Sequence, residues 1–179
     1  SLAIVWLQGM LGDITGLTKD LTLEAQSKLR ETFRATTSSF AVYPSFYNLE
    51  NDKGLRMSAG IENSDPLARN LYFVINIKPA SADNTILSAQ NPPCNTFATC
   101  TTLNTDMRNW AVFAPGALQV KYGETTFLTI EIHPRNAVKG TYLYNVFSCF
   151  GTTAPTFTCD ETTPPDRLWG SVQQILITV

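Results

Sequence analysis

The stretch VKYGETTFLTIEIHPRNAVKGTYLYNVFS, residues 120–148, alternates apolar and polar side chains on both sides of a turn that contains Pro134 and Gly140. Before the turn, the alternation separates an inner from an outer set of side chains, which are Leu128, Ile130 and Ile132 against Thr129, Glu131 and His133. After the turn, Tyr142, Tyr144 and Val146 share one face. A period of two residues is that of a β-strand with one buried face, so the stretch predicts two consecutive strands.

The same period recurs along most of the chain after about residue 38. Alternating apolar residues occupy four further segments, which are 55–61, 71–77, 118–122 and 173–179. Turn signals such as NDKG, NSDP and APG separate them. In the third segment, Leu118, Val120 and Tyr122 are predicted to face inward. Short alternating strands without helical interludes predict a mainly β fold, an antiparallel sandwich, and the Ser-, Asn-, Thr- and Pro-rich segment from about 79 to 107 is interpreted as a long loop.

The first 37 residues have a helical period instead. Apolar residues recur in steps of three and four, which predicts one continuous amphipathic helix through Ala3, Leu7, Met10, Ile14, Leu17, Leu21, Ala25, Leu29 and Phe33. The chain is therefore divided into a helix over 1–37 and a sandwich over 38–179. A lone helix with glycines in its first half is marginal in water, so its upper part is expected to contact other chains. Its lower part, Leu29 and Phe33, is expected to pack near the sandwich. The alternative is a plain amphipathic helix packed entirely on its own domain.

Composition narrows the classes of function. The chain has 179 residues, 16% of them charged, and a net charge of −2. One domain, or one domain with an appendage, fits this length, and no charge footprint for nucleic acid is present. No stretch approaches the roughly 20 apolar residues of a membrane helix. No catalytic residue, cofactor or metal is predicted, because His133 is the single histidine and the cysteines lack C-x-x-C spacing.

The four cysteines form two local pairs in loop-like sequence, Cys94 with Cys100 and Cys149 with Cys159. The favoured interpretation is that each pair closes a small loop by a disulfide in an oxidising compartment. A metal site and free buried thiols are the alternatives. Local pairing is itself one of three possible connectivities. Disulfides would indicate an extracellular or cell-surface protein.

The turn in the opening stretch resembles a pattern of immunoglobulin-like extracellular domains. In that pattern a strand ends near a proline, a short loop follows, and Gly-Thr-Tyr opens the next strand, here Pro134, Gly140, Thr141 and Tyr142. Proline cannot donate to a sheet ladder, and glycine tolerates turn conformations that other residues resist. The resemblance implies that Tyr142 buries its ring while its hydroxyl bonds to nearby backbone, as in a tyrosine corner.

A hydrophobic N-terminal helix followed by such a sandwich resembles the archaeal type IV pilin-like proteins. That family includes pilins, archaellum filament subunits and sandwich-bearing proteins of the archaellum stator. The segment AIVWLQGMLGDITGLTKDL, residues 3–21, is similar to the lower half of their helix and not to a signal peptide, because it has no basic n-region or cleavage site. The resemblance implies helices that bundle into a filament, or sit in the membrane before assembly. It implies contacts with other copies through Ala3, Leu7, Met10, Leu11, Ile14, Leu17 and Leu21.

Three hypotheses for function follow. The first is a structural subunit of an extracellular filament, a helical polymer of copies of the chain with the sandwich facing outward. The second is a monomeric or dimeric, stator-like module that binds a cell-wall, surface-layer or host-surface partner. The third is a secreted enzyme or redox protein that uses the cysteines. An apolar stripe left over on the helix would favour the first hypothesis, and a helix buried on its own sandwich would favour the second.

Two features leave alternatives open. Aromatic residues outnumber the obvious needs of one core, so they either mark a contact surface or fill the space between helix and sandwich; they are Tyr43, Phe46, Tyr47, Phe97, Trp110, Phe113, Phe150, Phe157 and Trp169. The C-terminal segment QQILITV is either the last strand of the sandwich, paired with the strand that starts at Tyr142, or a strand donated to a neighbour. The first interpretation of this segment is favoured.

Overall fold

The computed structural model of the chain describes residues 19–179, which form two five-stranded β-sheets around a shared apolar core. The first sheet contains β1 (Lys19–Asp20), β2 (Phe40–Tyr43), β4 (Leu55–Glu62), β6 (Ala111–Phe113) and β8 (Thr125–Ile132). The second contains β3 (Phe46–Asn48), β5 (Leu71–Ala82), β7 (Leu118–Val120), β9 (Thr141–Gly151) and β10 (Gln173–Thr178). Three α-helices accompany them in this part of the chain, α1 (Thr22–Ala35), α2 (Asn84–Ser88) and α3 (Thr101–Trp110), with two 3₁₀ turns at Phe97–Thr99 and Pro165–Arg167.

Strand order assigns the fold to the immunoglobulin-like sandwiches. The first sheet has the order β2-β4-β8-β6, with β1 beside the start of β4, and the second has the order β3-β10-β9-β5-β7. The chain passes from the first sheet to the second between β2 and β3, at the cis peptide Tyr43–Pro44. These are the A-B-E-D and C-F-G groupings of the immunoglobulin fold. The predicted mainly β sandwich is confirmed.

The faces that alternation assigns to the core are the buried ones in most strands. The core joins residues of both sheets: Met57, Ala59, Ile61, Phe73, Ile75, Ile77, Ile130, Ile132, Tyr142, Tyr144, Val146, Ile175 and Ile177. Trp169 packs edge-on against Phe73, with ring centroids 5.1 Å apart. Burial of one face of each strand is the main stabilising term of the sandwich.

The turn before β9 has the geometry of a tyrosine corner. Tyr142 is buried, and its hydroxyl donates to the carbonyl oxygen of Val138 over 2.6 Å. Burial raises the pKa of Tyr142 to about 12, so the hydroxyl keeps its proton as a donor. Gly140 has φ of +148°, and a Cβ atom there would lie 2.7 Å from an Asp83 carboxylate oxygen. β8 ends at Ile132, two residues before Pro134.

The predicted continuous helix over 1–37 is wrong at residues 19–21. Lys19 and Asp20 form β1, which pairs in parallel with Leu55 and Arg56, and α1 begins only at Thr22. The physical reason is that the chain leaves the first sheet after β2, which pairs only with the later residues of β4. The first residues of β4 would then lack a neighbouring strand, and β1 takes that place. Leu21, one of the residues predicted to contact other chains, is partly buried against the core of its own sandwich. Its contact with other chains stays a prediction. The other predicted contact residues, Ala3, Leu7, Met10, Leu11, Ile14 and Leu17, lie outside the described residues.

Helix α1 lies on the outer face of the first sheet. Its buried residues are Ala25, Leu29 and Phe33, one stripe at a spacing of four. The stripe rests on β4 where Gly60 leaves room, since a Cβ atom on Gly60 would lie 3.0 Å from the Phe33 ring. As expected, Leu29 and Phe33 pack on the sandwich. Leu23, on the opposite side of the helix, is 83% exposed.

The interpretation of residues 79–107 as a long loop is wrong. β5 extends to Ala82, and α2, a 3₁₀ turn and α3 follow. Leu103, Met107 and Trp110 recur at helical spacing and are buried in the main core, so α3 is held by tertiary packing. The Tyr144 hydroxyl donates to the Met107 carbonyl oxygen over 2.7 Å. The polar composition of the segment hid this stripe.

Glu131 and His133, two residues predicted to face outward from the sandwich, are buried. Glu131 is 2% exposed and pairs with Arg56 on β4 over 3.1 Å. Burial raises the pKa of the Glu131 carboxyl despite this pairing. The ring of His133 is 8% exposed and bonds through Nε2 to the carbonyl oxygen of Asp52 over 2.9 Å. Alternation identified the correct side of the strand, but neighbouring segments shield that side at this end of the sheet.

The C-terminal segment forms the last strand of its own sandwich. β10 pairs antiparallel with β9, placing Ile175 opposite Tyr144, and in parallel with β3 on its other side. The pairing agrees with the favoured interpretation of QQILITV as the last strand of the sandwich.

Replacing Phe33 by Ala tests the packing of α1. The change removes a buried ring that rests on Gly60, so we expect the free energy of unfolding to fall by about 3 kcal/mol. Urea denaturation followed by circular dichroism measures it. Leu23→Ala, on the exposed side of the same helix, is the control and should change it by less than about 0.5 kcal/mol. Equal losses in the two variants would contradict the packing.

Replacing Tyr142 by Phe tests the tyrosine corner. The ring remains, the hydrogen bond to Val138 is lost, and the free energy of unfolding should fall by about 1 kcal/mol. Tyr72 is the matched control, because it lies on the outer face of the neighbouring strand and its hydroxyl has no hydrogen-bond partner within residues 19–179. Tyr72→Phe should be near neutral, and a comparable loss there would refute the role given to the corner.

Candidate functional site: a loop platform at one end of the sandwich

The four cysteines form both local disulfides, with S–S distances of 2.01 Å for Cys94–Cys100 and 2.05 Å for Cys149–Cys159. Of the three possible connectivities, the structure has the local one. Within residues 19–179, no three His, Cys, Asp or Glu side chains are grouped so that they could hold a metal ion. None of the helices in that range is both long enough and apolar enough to cross a membrane.

Two loops at one end of the sandwich are joined through a buried asparagine. We call residues 63–70, between β4 and β5, and residues 121–124, between β7 and β8, the loop platform. Asn63 is fully buried, and its side-chain nitrogen donates to the carbonyl oxygens of Arg69 over 2.9 Å and Val120 over 2.8 Å. Its backbone N–H donates to Glu124, and its carbonyl oxygen accepts from Gly123. A buried amide with these partners fixes both loops relative to the sheets.

An ion pair closes the longer loop upon itself. Arg69 Nε lies 2.7 Å from Asp65 Oδ2, and the Arg69 backbone N–H donates to the same oxygen over 3.1 Å. Asp65 is 4% exposed, and its hydrogen bonds to Arg69 hold the pKa of its carboxyl below the usual range. Ala68 has φ of +52°, a left-handed conformation held by its N–H bond to the Asp65 carbonyl. These bonds within residues 63–70 hold the backbone of the loop in one conformation.

The platform presents two large apolar side chains to solvent. Leu67 is 68% exposed and Tyr122 is 53% exposed. The Tyr122 backbone N–H donates to the side-chain oxygen of Asn70 over 3.0 Å, which ties the two loops a second time. An exposed leucine side chain forgoes about 1.5–3 kcal/mol that burial would provide. Apolar side chains on a rigid backbone suit a binding surface, because little conformational entropy is lost on contact.

Sequence reasoning missed this site. NSDP was interpreted only as a turn, and Tyr122 was predicted to face inward as part of a strand. That prediction for Tyr122 is wrong because β7 ends at Val120, so the alternation does not continue through residue 122. The signal that the sequence did contain is Asp65 followed four residues later by Arg69, at the boundary of two strongly alternating segments.

The residues predicted from the sequence lie elsewhere. Pro134 and Gly140 lie in the loop between β8 and β9, and Tyr142 lies at the start of β9, at the far end of β8 from the platform. The aromatic residues divide between the two interpretations: Trp110 and Trp169 are buried, whereas Phe46 on β3 is 54% exposed. The structure does not gather the predicted residues into one site.

No protein-family model matches the chain, and no curated protein matches it. Among solved structures, the chain is similar to the ASH/PapD-like domain 7 of human CEP192, with a TM-score of 0.43 and 11% identity over 79% of this chain and 84% of that one. It is similar to WR4, an MSP family member of C. elegans, with a TM-score of 0.38 and 12% identity over 79% and 98%.

A third similar structure is the CsuC–CsuE chaperone–tip adhesion subunit complex from the Csu pili of Acinetobacter baumannii, with a TM-score of 0.40 and 10% identity over 79% of this chain and 57% of that one. Likenesses at this level are too distant to support an argument about function. The immunoglobulin-like assignment rests on the strand order of the chain itself.

Acid should loosen the platform through Asp65. Because the pKa of Asp65 is lowered in the folded chain, its contribution to stability is present above the ordinary value of 3.8 and is lost as the pH falls through the lowered value. Asp65→Asn should therefore lower the melting temperature at pH 7, and the difference from wild type should shrink in acid below that ordinary value. Ser64→Ala, at an exposed position in the same loop, is the control. A difference that persists unchanged in acid would contradict the ion-pair role.

Proposed function

We propose that the chain is an immunoglobulin-like binding module of the cell surface that contacts a partner protein through the loop platform. The observation that carries the proposal is the exposure of Leu67 and Tyr122 on loops whose backbone is held by hydrogen bonds of the buried Asn63. Tyrosine and other large side chains on pre-organised backbone are typical of the centres of protein interfaces.

The two disulfides support an extracellular or otherwise oxidising location. Cys149 and Cys159 are both buried, and their bond joins β9 to the loop that precedes β10. Structural disulfides of this kind persist outside the reducing cytosol. A module at the cell surface meets this condition.

The contacts made within residues 19–179 favour a binding module over a polymer. Ala25, Leu29 and Phe33 are buried on the chain's own sandwich, and β10 pairs within its own sheet. A helix buried in this way is the feature expected of the stator-like hypothesis. We therefore propose a surface-layer, cell-wall or host-surface protein as the partner, and a binding rather than an enzymatic role.

The filament hypothesis, in which copies of the chain polymerise through the N-terminal segment, is the second proposal. Its predicted contacts, except Leu21, fall in residues 1–18, and it rests on the resemblance of residues 3–21 to pilin-like helices. Electron microscopy of the native protein distinguishes the two proposals. Regular filaments would establish polymerisation, whereas single particles attached to a surface component would favour the binding module.

Site-specific photo-crosslinking in the native cells tests the platform. A benzophenone amino acid placed at position 67 or 122 should give an adduct with one partner protein. Position 23 is the matched control, because Leu23 is also an exposed apolar residue but lies on α1. Adducts of the same pattern from all three positions, or no adduct from 67 and 122, would overturn the proposal. For the captured partner, Leu67→Asp should weaken binding by about tenfold or more.

A further inference from the structure

A groove runs along the outer face of the second sheet, away from the loop platform. Two adjoining clefts of about 410 Å³ each share Lys78 and Arg108 as lining residues. The floor is formed by outward-facing residues of β5 and β9, among them Lys78 and its cross-strand neighbour Asn145. Together the clefts have the size of an ordinary small-ligand site.

Both disulfides stiffen the walls of this groove. On one side, Cys94–Cys100 closes the loop that leads through the 3₁₀ turn at Phe97–Thr99 into α3. On the other side, Cys149–Cys159 joins the floor strand β9 to the following loop. That loop is also tied to β5, since the Asn76 side chain donates to the Cys159 carbonyl oxygen over 2.8 Å. The groove is therefore largely pre-formed.

The charges in the groove balance. Lys78 Nζ donates to both carboxylate oxygens of Glu161, over 2.7 and 2.8 Å, and this pairing holds the pKa of Glu161 below its usual range. Arg108 lines both clefts, and Asp160 lines one of them. Two cations and two anions give no net charge, which disfavours nucleic acids and other polyions as ligands.

The remaining polar groups suit a ligand that both donates and accepts hydrogen bonds. Arg108 uses only Nε, which donates to Asn104 Oδ1 over 3.0 Å. Within residues 19–179, the terminal nitrogens of Arg108 and the side-chain nitrogens of Asn104 and Asn145 have no hydrogen-bond partner. The half-buried rings of Phe97 and Phe113 add flat apolar surface. A pyranose presents hydroxyl groups at its rim and C–H groups on its faces, which matches this combination of amides, paired charges and rings.

We infer that the groove binds a neutral oligosaccharide, with Arg108, Asn104 and Asn145 as the hydrogen-bonding residues. The site is separate from the loop platform and does not depend on the function proposed for it. An uncharged extended peptide is the competing ligand, and it is an outcome of the test below.

The test is a titration of the isotope-labelled full chain, followed by NMR, with hexasaccharides of glucose, N-acetylglucosamine and mannose at millimolar concentration. We expect saturable shifts of the Asn104 and Asn145 side-chain amides with at least one sugar. Arg108→Ala and Asn145→Ala should each weaken that binding by about tenfold. Gln119→Ala, an exposed amide on the edge strand β7 of the same sheet, is the matched control and should leave binding unchanged.

The result is independent of the platform. Leu67→Asp should retain sugar binding, and Arg108→Ala should retain the crosslink from position 122. Absence of shifts with all three sugars would overturn the inference, as would binding that both groove variants leave unchanged. Shifts of the same amides with a neutral decapeptide and none with the sugars would overturn it in favour of a peptide groove.

Discussion

The buried hydroxyls of Tyr142 and Tyr144 organise the irregular parts of the sandwich. Both rings lie in the core on β9, and a buried hydroxyl without a partner would cost more than its hydrogen bond is worth. Tyr142 finds its partner in the turn at Val138, and Tyr144 finds one at Met107, near the end of α3. Burial raises the pKa of Tyr144 far above its usual range, so the hydroxyl is a permanent donor. In this position of α3, the ring of Trp110 packs edge-on against the ring of Tyr142, with the ring centroids 5.1 Å apart. These contacts of the core therefore position α3, which forms one wall of the groove on the outer face of the second sheet.

The crossing of the chain from one sheet to the other, between β2 and β3, has a second set of consequences. Where β2 leaves β4, the edge of β4 would expose unpaired backbone groups, and β1 occupies that place. The chain then turns directly into α1, which covers the outer face of β4 over Gly60. Residues from 19 onward thus belong physically to the sandwich. The division at residue 37, drawn from periodicity, falls between the end of α1 at Ala35 and the start of β2 at Phe40.

The two candidate contact regions obtain their rigidity in different ways. The loop platform depends on hydrogen bonds of buried polar groups, Asn63 and Asp65, and it presents apolar side chains. The groove on the second sheet depends on the two disulfides and the Lys78–Glu161 ion pair, and it presents polar side chains. A surface of the first kind suits another protein, while the second suits a hydroxyl-rich ligand. The two regions do not overlap, since one lies at an end of the sandwich and the other on the outer face of the second sheet.

The sequence by itself determined six of the ten strands of residues 19–179 and most of their inward faces, because alternation and turn chemistry are local properties of the chain. The same reasoning applied to Leu29 and Phe33, whose spacing alone marks a buried stripe. The tyrosine corner came from the resemblance to immunoglobulin-like domains. Only the tertiary structure decided that Glu131 is buried, that α1 starts at Thr22 and that α3 exists, because each depends on what a distant segment packs against. The candidate site was beyond sequence reasoning for the same cause. Asn63 looks like a turn residue until the carbonyl of Val120, 57 positions away, is seen to accept its hydrogen bond.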